Sequence, residues 1–423
     1  MPGGPDHGVV PSWATTVPAL SGSATRALPI NSPAMASLLA AARKGVARQS
    51  GVLRIALPPF VASKLIGLLV PMLTAWVRGP GAGLPSGSAL LQPFALWDGG
   101  AFTEIAQHGY PSGPLNLTVG AAGHLWAYFP GYPLLVHMAG FVVPNTIVAG
   151  IVVSAIGELI GLLFLAKLIL LERGDEASAR FACWALAVFP YAVYLTAVFS
   201  ESTFLAAATA SLYYMRRGKD GRASIAAAIA MLVRITGVAL IPALIVDHLV
   251  RRRGRPGRGL IAILATPLAP LLFVAYGWLS TGNPLVYLQV ERSASFNRLF
   301  AWPWDGARAT FQSFVEGVNG NSFVFGMELL FGVAGLLAVL WLAWHWRTVA
   351  PSLTVFAAVA WLMSTSLIYW LSVPRYEMTV VPIYLALADV TRRHPQSRTV
   401  LIAVSAGWMG FLATLMATGQ FVA

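Results

Sequence analysis

Apolar stretches recur along the whole chain, and they constrain its fold more than any other feature. Each runs for about 20 residues, which is long enough to cross a hydrocarbon core of about 30 Å. Only 10% of the 423 residues are charged, against roughly 25% in soluble domains. The chain therefore lacks the polar side chains to cover a water-facing surface. This pattern predicts an all-α polytopic membrane protein with about 10–12 transmembrane or re-entrant helices.

The formal net charge of +12 does not indicate a nucleic-acid partner. The basic residues stand in short clusters between apolar stretches, which is the pattern that orients membrane proteins relative to the cytoplasm. A basic cluster ahead of the first span, residues 52–77, predicts a cytoplasmic N-terminus. Residues 1–50 are rich in Pro, Ser, Gly and Ala, and we expect a disordered or weakly helical cytoplasmic tail there. The membrane domain is predicted over residues 51–423.

Basic runs flank the apolar stretch 223–250 on both sides, so both of its ends are expected in the cytoplasm. A straight helix of that length would be ~42 Å long and would violate the positive-inside rule. A break near Arg234–Gly237, giving two half-helices, satisfies both constraints. The segment 129–143 is expected to be short or re-entrant, because a full crossing there would put the following basic clusters on the wrong side of the membrane. The remaining spans are predicted at residues 146–171, 181–198, 203–215, 259–279, 327–344, 350–372, 377–391 and 399–421.

A large external loop, Arg78 to Tyr128, is predicted after the first span, with one amphipathic helix near Leu90–Gln107. Asp98 stands early in that helix, between Trp97 and Gly99. A single carboxylate at this place can act as the base that takes a proton from an attacking hydroxyl. The alternative for this residue is a helix N-cap.

Other charged candidates lie near the ends of predicted helices. Arg234 and Arg375 are suited to gripping a phosphate, although either could be a helix-end or interfacial anchor. Glu201, in an outward turn, could bind an acceptor hydroxyl or a divalent cation, or could lie in a solvated turn. Glu158, in mid-span, has no evident partner. We assign Trp97, Glu104, His108, Tyr110, Tyr128, Tyr132, Glu201 and Tyr376 to a substrate pocket and add Glu291, Arg292, Arg298 and Asp305 as further candidates.

The chain lacks several motifs that would indicate soluble phosphorylated substrates. It contains no Asp-x-Asp pair, no Walker-A loop, no Gly-x-Gly-x-x-Gly loop and no His-Glu-x-x-His zinc pattern. A nucleotide sugar is therefore not the expected donor. A sugar carried on a lipid phosphate and delivered from the bilayer suits a site at the outer membrane face.

Three motifs stand in order along the chain. They are Trp97-Asp98-Gly99 with Ile105-Ala106-x-His108-Gly109-Tyr110, then Tyr128-Phe129-Pro130-Gly131-Tyr132-Pro133, then Phe199-Ser200-Glu201-Ser202. These motifs resemble those of the PIG-V family, in the GT-C superfamily of membrane glycosyltransferases. The resemblance covers roughly residues 50–390 and implies a GT-C-type fold with a large first external loop. It also implies a bacterial plasma-membrane enzyme with its active site outside. Such an enzyme would be inverting, with Asp98 as base, and would move mannose from polyprenyl-phosphate-mannose to a lipid or envelope-glycan acceptor.

Several alternatives stay open on the residues alone. The donor could carry arabinose or glucose, and the acceptor could be a protein. A lipid-linked sugar flippase or transporter is a different class, and it should carry paired repeats with charges near the membrane midplane. A non-catalytic scaffold subunit is a third. Most acidic candidates lie at one face, which favours transfer chemistry, whereas Glu158 favours transport.

Overall fold

The computed structural model describes residues 33–78, 87–115, 122–294 and 296–422, with no side-chain description for 33–49 and 122. The chain divides into two units, residues 1–50 and 51–423, and the second contains every site residue considered below. Residues 1–32 of the predicted tail lie outside the described residues. Over the described ranges the chain is helical, apart from loops and one isolated β-bridge between Phe300 and Leu367. The predicted all-α class is confirmed.

Eighteen α-helices occur in these ranges, and 3-10 turns link several of them. In chain order they are α1 (Pro33–Arg78), α2 (Gly87–Leu91), α3 (Asp98–His108), α4 (Gly131–Gly140), α5 (Thr146–Arg173), α6 (Glu176–Ala187), α7 (Glu201–Arg216), α8 (Asp220–Val233), α9 (Leu240–Arg251), α10 (Arg258–Leu264), α11 (Leu268–Thr281), α12 (Val286–Arg292), α13 (Pro303–Glu316), α14 (Ser322–Trp344), α15 (Pro351–Thr365), α16 (Val373–Met378), α17 (Pro382–Val390) and α18 (Pro395–Ala417).

Five helical segments among the described residues are long and apolar enough to cross a membrane. The other apolar elements are shorter or interrupted, so full-length spans account for only part of the predicted 10–12 elements. The segment predicted to be short, 129–143, is the 10-residue helix α4. The five long segments are Ser50–Arg78, Thr146–Arg173, Arg258–Thr281, Ser322–Trp344 and Pro395–Ala417.

The predicted break in the stretch 223–250 is present. Helix α8 ends at Val233, and Arg234 has extended backbone angles, φ −151° and ψ 142°. A 3-10 turn, Ile235–Ala239, leads into α9. The extended residue redirects the backbone, so the Arg234 side chain leaves the helix end instead of lying along a continuous helix.

Four predicted helix boundaries are wrong. Two belong to late spans: the helix predicted at 350–372 ends at Thr365, and the one predicted at 377–391 begins at Pro382, where proline takes the first helical turn. The amphipathic helix begins at Asp98 instead of Leu90, because Trp97 has a positive φ of 50° that an α-helix cannot accommodate. The span predicted at 181–198 ends as a helix at Ala187, and Pro190 follows in a buried irregular segment, residues 188–200. Proline has no N–H to continue a helical ladder, and it disfavours helical angles in the residue before it.

Helix α5 packs closely against α7 through small residues, as membrane helices commonly do. A Cβ atom on Gly157 would lie 2.9 Å from the backbone carbon of Ser202, so only glycine permits this approach. The contact fixes the N-terminal end of α7, where Glu201 is the first residue.

A buried ion pair joins α1 to α5. Lys64 Nζ lies 2.6 Å from Glu158 Oε2, and it also donates to the Leu195 carbonyl at 3.0 Å and to Thr196 Oγ1 at 2.7 Å. Both partners are on membrane-spanning segments, where an unpaired charge is expensive. Lys64 thus supplies the partner that Glu158 lacked in the sequence, and it anchors the irregular segment 188–200.

Replacing one member of this pair should destabilise the fold. Lys64→Met leaves Glu158 as an uncompensated buried carboxylate, and we expect a loss of about 3–5 kcal/mol. The double variant Lys64→Met/Glu158→Leu should recover most of that loss, because no charge is left unpaired. Thermal unfolding of the purified protein in detergent measures both effects. Equal melting temperatures for Lys64→Met and wild type would contradict this role.

Candidate active site

A polar cavity of about 70 Å³ lies where several helix ends and loops meet. Its charged lining combines two carboxylates with three guanidinium groups, and aromatic rings close most of the remaining wall. Chain segments that are far apart in sequence contribute these groups. The lining includes Asp98, Tyr128, Ser200, Arg234, Tyr287, Glu291, Phe296, Arg298, Ser372, Arg375 and Tyr376.

The backbone around Asp98 is tightly constrained. Trp97 has φ 50° and ψ −118°, a rare conformation for a bulky residue, and α3 begins immediately after it. The amide of Gly99 donates to the Leu96 carbonyl at 2.9 Å. A Cβ atom on Gly99 would lie 3.1 Å from the Phe94 carbonyl oxygen. These constraints place the Asp98 side chain at the cavity, and the N-cap position of α3 belongs to Trp97 instead of Asp98.

The Asp98 carboxylate accepts hydrogen bonds from two sides. Arg375 donates through Nη2 to Oδ2 at 2.9 Å, and the Tyr128 hydroxyl donates to Oδ1 at 3.2 Å. Burial alone would raise the pKa of Asp98, but Arg375, with smaller contributions from Arg298 and Arg234, outweighs it and holds the pKa below its usual value. Asp98 is therefore ionised at neutral pH, and its side chain is 29% exposed.

Glu201 links two arginines beside Asp98. Its Oε1 atom accepts from Arg375 Nε at 2.8 Å and from Nη2 at 2.5 Å. The Nη1 atom of Arg234 lies 2.8 Å from the same oxygen and donates to Ser200 Oγ at 3.2 Å. Glu201 is fully buried, which requires such charge pairing. Asp98, Glu201, Arg234 and Arg375 therefore form one electrically neutral cluster.

Arg298 is the least tightly held of the three cavity arginines. Its Nη1 atom lies 3.6 Å from Glu291 Oε2 and donates to the Tyr376 hydroxyl at 3.3 Å. The Arg298 side chain is 29% exposed, against 6% for Arg375. Tyr376 lies between two of these cations, because the Arg234 guanidinium sits 4.8 Å from its ring centroid. Arg298 is consequently the cation most available to a ligand.

Six residues of the predicted pocket do not line this cavity, and one of them is Glu201, which is buried beside it. Glu104 and His108 are exposed and contact each other at 3.4 Å, because they lie on the outer face of α3. The Tyr132 hydroxyl is buried against α5, where it donates to the Gly150 carbonyl. Trp97 packs edge-on against Phe421 at the chain end. Tyr110 supports the wall from behind, since its hydroxyl donates to the Tyr128 carbonyl at 2.6 Å.

Sequence motifs did not identify every residue of the lining. Arg298 and Glu291 were only secondary candidates, while Tyr287, Phe296 and Ser372 were not identified at all. They belong to the stretch around α12 and to the approach to α16, where no motif stands out. The usable indication was the density of aromatic and charged residues in the stretch 280–326.

The carboxylates of the cavity do not suit a divalent cation. Asp98 and Glu201 already share the cation Arg375, whose Nη2 atom bonds to both. A metal ion would have to displace that guanidinium and would then lie close to Arg234. In the described ranges no group of three His, Cys, Asp or Glu side chains is arranged to hold a metal.

No protein-family model and no curated protein sequence matches the chain. One similar solved structure is ArnT from Cupriavidus metallidurans bound to undecaprenyl phosphate, at 16% identity and a TM-score of 0.47. Another is the Archaeoglobus fulgidus oligosaccharyltransferase tethered with an acceptor peptide, at 13% identity and a TM-score of 0.45. The similarity covers 79% and 87% of this chain, respectively. The chain spans 60% and 55% of the length of those two proteins.

Removing Arg375 should raise the pKa of Asp98 above its usual value. In Arg375→Gln the opposing effect of burial would dominate, so protonation of Asp98 would begin at a higher pH as the solution is acidified. Infrared difference spectra against Arg375→Gln/Asp98→Asn would show a protonated carboxyl band that develops at higher pH than in wild type. Identical titration of Asp98 with and without Arg375 would show that the ion pair does not control it.

Proposed function

We propose that the protein is an inverting glycosyltransferase of the GT-C type that uses a polyprenyl-phosphate sugar. The observation that carries this proposal is one cavity in which an ionised carboxylate, Asp98, faces three arginines. The motif resemblance to the PIG-V family supports mannose as the sugar and a lipid or envelope glycan as the acceptor. The site would face the outside of a bacterial plasma membrane.

Asp98 would act as the general base. As the acceptor oxygen bonds to the anomeric carbon, the bond from that carbon to the phosphate oxygen breaks and the hydroxyl proton passes to Asp98. A carboxylate with a lowered pKa is a weak base, but the attacking hydroxyl becomes strongly acidic as the new bond forms. The departing polyprenyl phosphate is a stable anion and requires cations more than a proton donor.

The arrangement of Glu201 supports a single displacement. Retaining glycosidases use a second carboxylate as a nucleophile about 5–5.5 Å from the first. Glu201 is completely buried, and two arginines hold its Oε1 atom. It cannot reach a sugar without breaking that cluster. With Glu201 unavailable as a nucleophile and Asp98 acting as base, displacement would invert the anomeric carbon, so a β-linked donor would yield an α-mannoside.

The donor phosphate would lie between Arg298 and Arg234, on either side of Tyr376. Arg375 also lines the cavity, but its guanidinium already donates hydrogen bonds to two carboxylates, Glu201 and Asp98. Its main role would be to orient Asp98, with a secondary contact to the phosphate. A phosphate attracted to Arg298 would compete with Glu291, whose pKa is raised by burial and only partly lowered by Arg298. Glu291 would therefore give up this weak contact at small cost.

The cavity is smaller than the 300–1,000 Å³ of typical ligand pockets, so a donor must widen it. The wall at Arg298 is the part best suited to move, because the hydrogen bond from Arg298 to Tyr376 on α16 is long, at 3.3 Å. Across the cavity, Asp98 is held by a 2.9 Å charge-assisted hydrogen bond from Arg375. Donor entry on the Arg298 side would leave the base in place.

Transport of a lipid-linked sugar is the second candidate function, and the Lys64–Glu158 pair is the observation that favours it. These charges lie in the middle of two long helices, where transporters place their binding sites. However, Lys64 is fully engaged by Glu158, Leu195 and Thr196. Neither member of the pair lines the polar cavity. Transfer is therefore the better-supported function.

Asp98→Asn should lower transfer by about 10²–10⁴-fold, because it removes a base while keeping the shape of the side chain. The assay combines purified protein, radiolabelled polyprenyl-phosphate-mannose and a membrane lipid extract. Asp305→Asn is the matched control, since Asp305 is exposed on α13 and lies outside the cavity. Asp98→Asn at near wild-type rate would refute the base assignment.

The same assay separates the finer alternatives. If wild-type protein gave labelled product with an arabinose or glucose donor but not with the mannose donor, mannose would be refuted as the sugar and glycosyl transfer would be retained. A labelled protein instead of a labelled lipid would change the acceptor. Transport would be established instead if folded wild-type protein gave no product with any donor and the donor crossed the membrane of vesicles that contain the protein.

Arg298→Met should weaken binding of polyprenyl phosphate by about 10- to 100-fold, the range expected for losing charge-assisted hydrogen bonds. Arg308→Met is the control, because it removes the same charge from an exposed residue of α13 that lies outside the cavity. This variant should bind polyprenyl phosphate as wild type does. Affinity is measured with radiolabelled polyprenyl phosphate on protein whose melting temperature is unchanged. Normal binding by Arg298→Met with strong loss in Arg375→Met would move the phosphate to Arg375.

A further inference from the structure

A second cavity, of about 590 Å³, lies apart from the polar one. Helices α14, α17 and α18 form most of its wall, with Phe189 and Pro190 contributing from the irregular segment after α6. Its volume falls within the range of pockets that hold small organic ligands. Aromatic rings are prominent in the lining, including Phe331, Trp341 and Trp408.

One carboxylate reaches this apolar cavity. Glu377 lies on α16 and is 4% exposed, and neither of its oxygens accepts a hydrogen bond within the described part of the chain. Its polar neighbour, the Ser364 hydroxyl, donates instead to the Trp361 carbonyl at 2.9 Å. The carboxyl group lies against the backbone of α14, since a Cβ atom on Gly335 would come 2.6 Å from its Cδ atom.

Within the described ranges, no cation pairs with this carboxylate. Among the described residues that line the cavity, none is lysine or arginine, and the other side chains with a hydroxyl are Tyr384 and Ser405. The Tyr384 hydroxyl already donates to the Met378 carbonyl at 2.8 Å. Buried carboxylates are normally paired or hydrogen-bonded, so one that has neither calls for a ligand that supplies the missing partner.

We propose that this cavity binds a lipophilic amine, with its ammonium group on Glu377 and its apolar body against α14 and α18. A single negative charge in an apolar lining complements one positive charge on an apolar body. Trp341 and Trp408 add ring faces that attract cations. A zwitterionic phospholipid fits less well, because its phosphate would find no cation in the lining. Neither Asp98 nor the arginines of the polar cavity contribute to this site, so it stands independently of the proposed transferase activity.

The test is equilibrium binding of radiolabelled dodecylamine to the purified full-length protein in detergent, with dodecanol as the uncharged probe of equal chain length. We expect saturable binding of the amine and at least tenfold weaker binding of the alcohol. Glu377→Gln should weaken amine binding at least tenfold and leave the alcohol unaffected. Glu316→Gln, a change to an exposed carboxylate on α13, should bind like wild type.

A second variant guards against misfolding of Glu377→Gln. Ala338→Trp fills the cavity from α14 without touching the carboxylate, and it should abolish binding of both probes while the melting temperature stays near that of wild type. Equal binding of amine and alcohol, or unchanged amine binding in Glu377→Gln, would overturn the proposal. Full displacement of the amine by polyprenyl phosphate would also overturn it, because the cavity would then belong to the donor lipid.

Discussion

The architecture of the site depends on Arg375, which bonds to Asp98 and Glu201 at once. This one guanidinium joins the first turns of α3 and α7 to α16. None of these charges could be buried alone, because desolvation would cost several kcal/mol per ion. The relative positions of three distant segments are therefore set by a requirement for charge neutrality. Arg234 completes the balance from the helix break, which explains why the backbone interrupts a helix at that place.

The short helix α16 separates two environments of opposite character. Arg375 points to a small cavity crowded with paired charges, whereas Glu377, two residues later, reaches a large apolar cavity without a partner. A carboxylate and a guanidinium so near in sequence would ordinarily be expected to pair. The wide apolar space and the close backbone of α14 keep Glu377 on its own side. The two cavities thus differ in the charged groups that each presents.

Hydropathy and charge clusters predicted the long spans at 52–77 and 146–171 well, because length and positive-inside bias are properties of the chain itself. The same reasoning placed the helix break at Arg234. It failed at 181–198, since a buried irregular segment is as apolar as a membrane helix. Local motifs brought Asp98, Tyr128, Glu201 and Arg375 to attention, but they could not show that one guanidinium joins the acids. Lys64 escaped notice because its partners lie on distant segments.

The buried pair between α1 and α5 has a consequence for the order of membrane insertion. Lys64 sits midway along the first long span, where a lysine costs about 2.5–3.5 kcal/mol to insert. Its neutralising partner, Glu158, is synthesised only with α5, after the long stretch that separates the two helices. Until then α1 must remain beside the translocon or keep its ammonium group hydrated. Early pairing of α1 with α5 would remove this cost, and the irregular segment 188–200, which leads into Glu201, would then fold onto a pair already assembled.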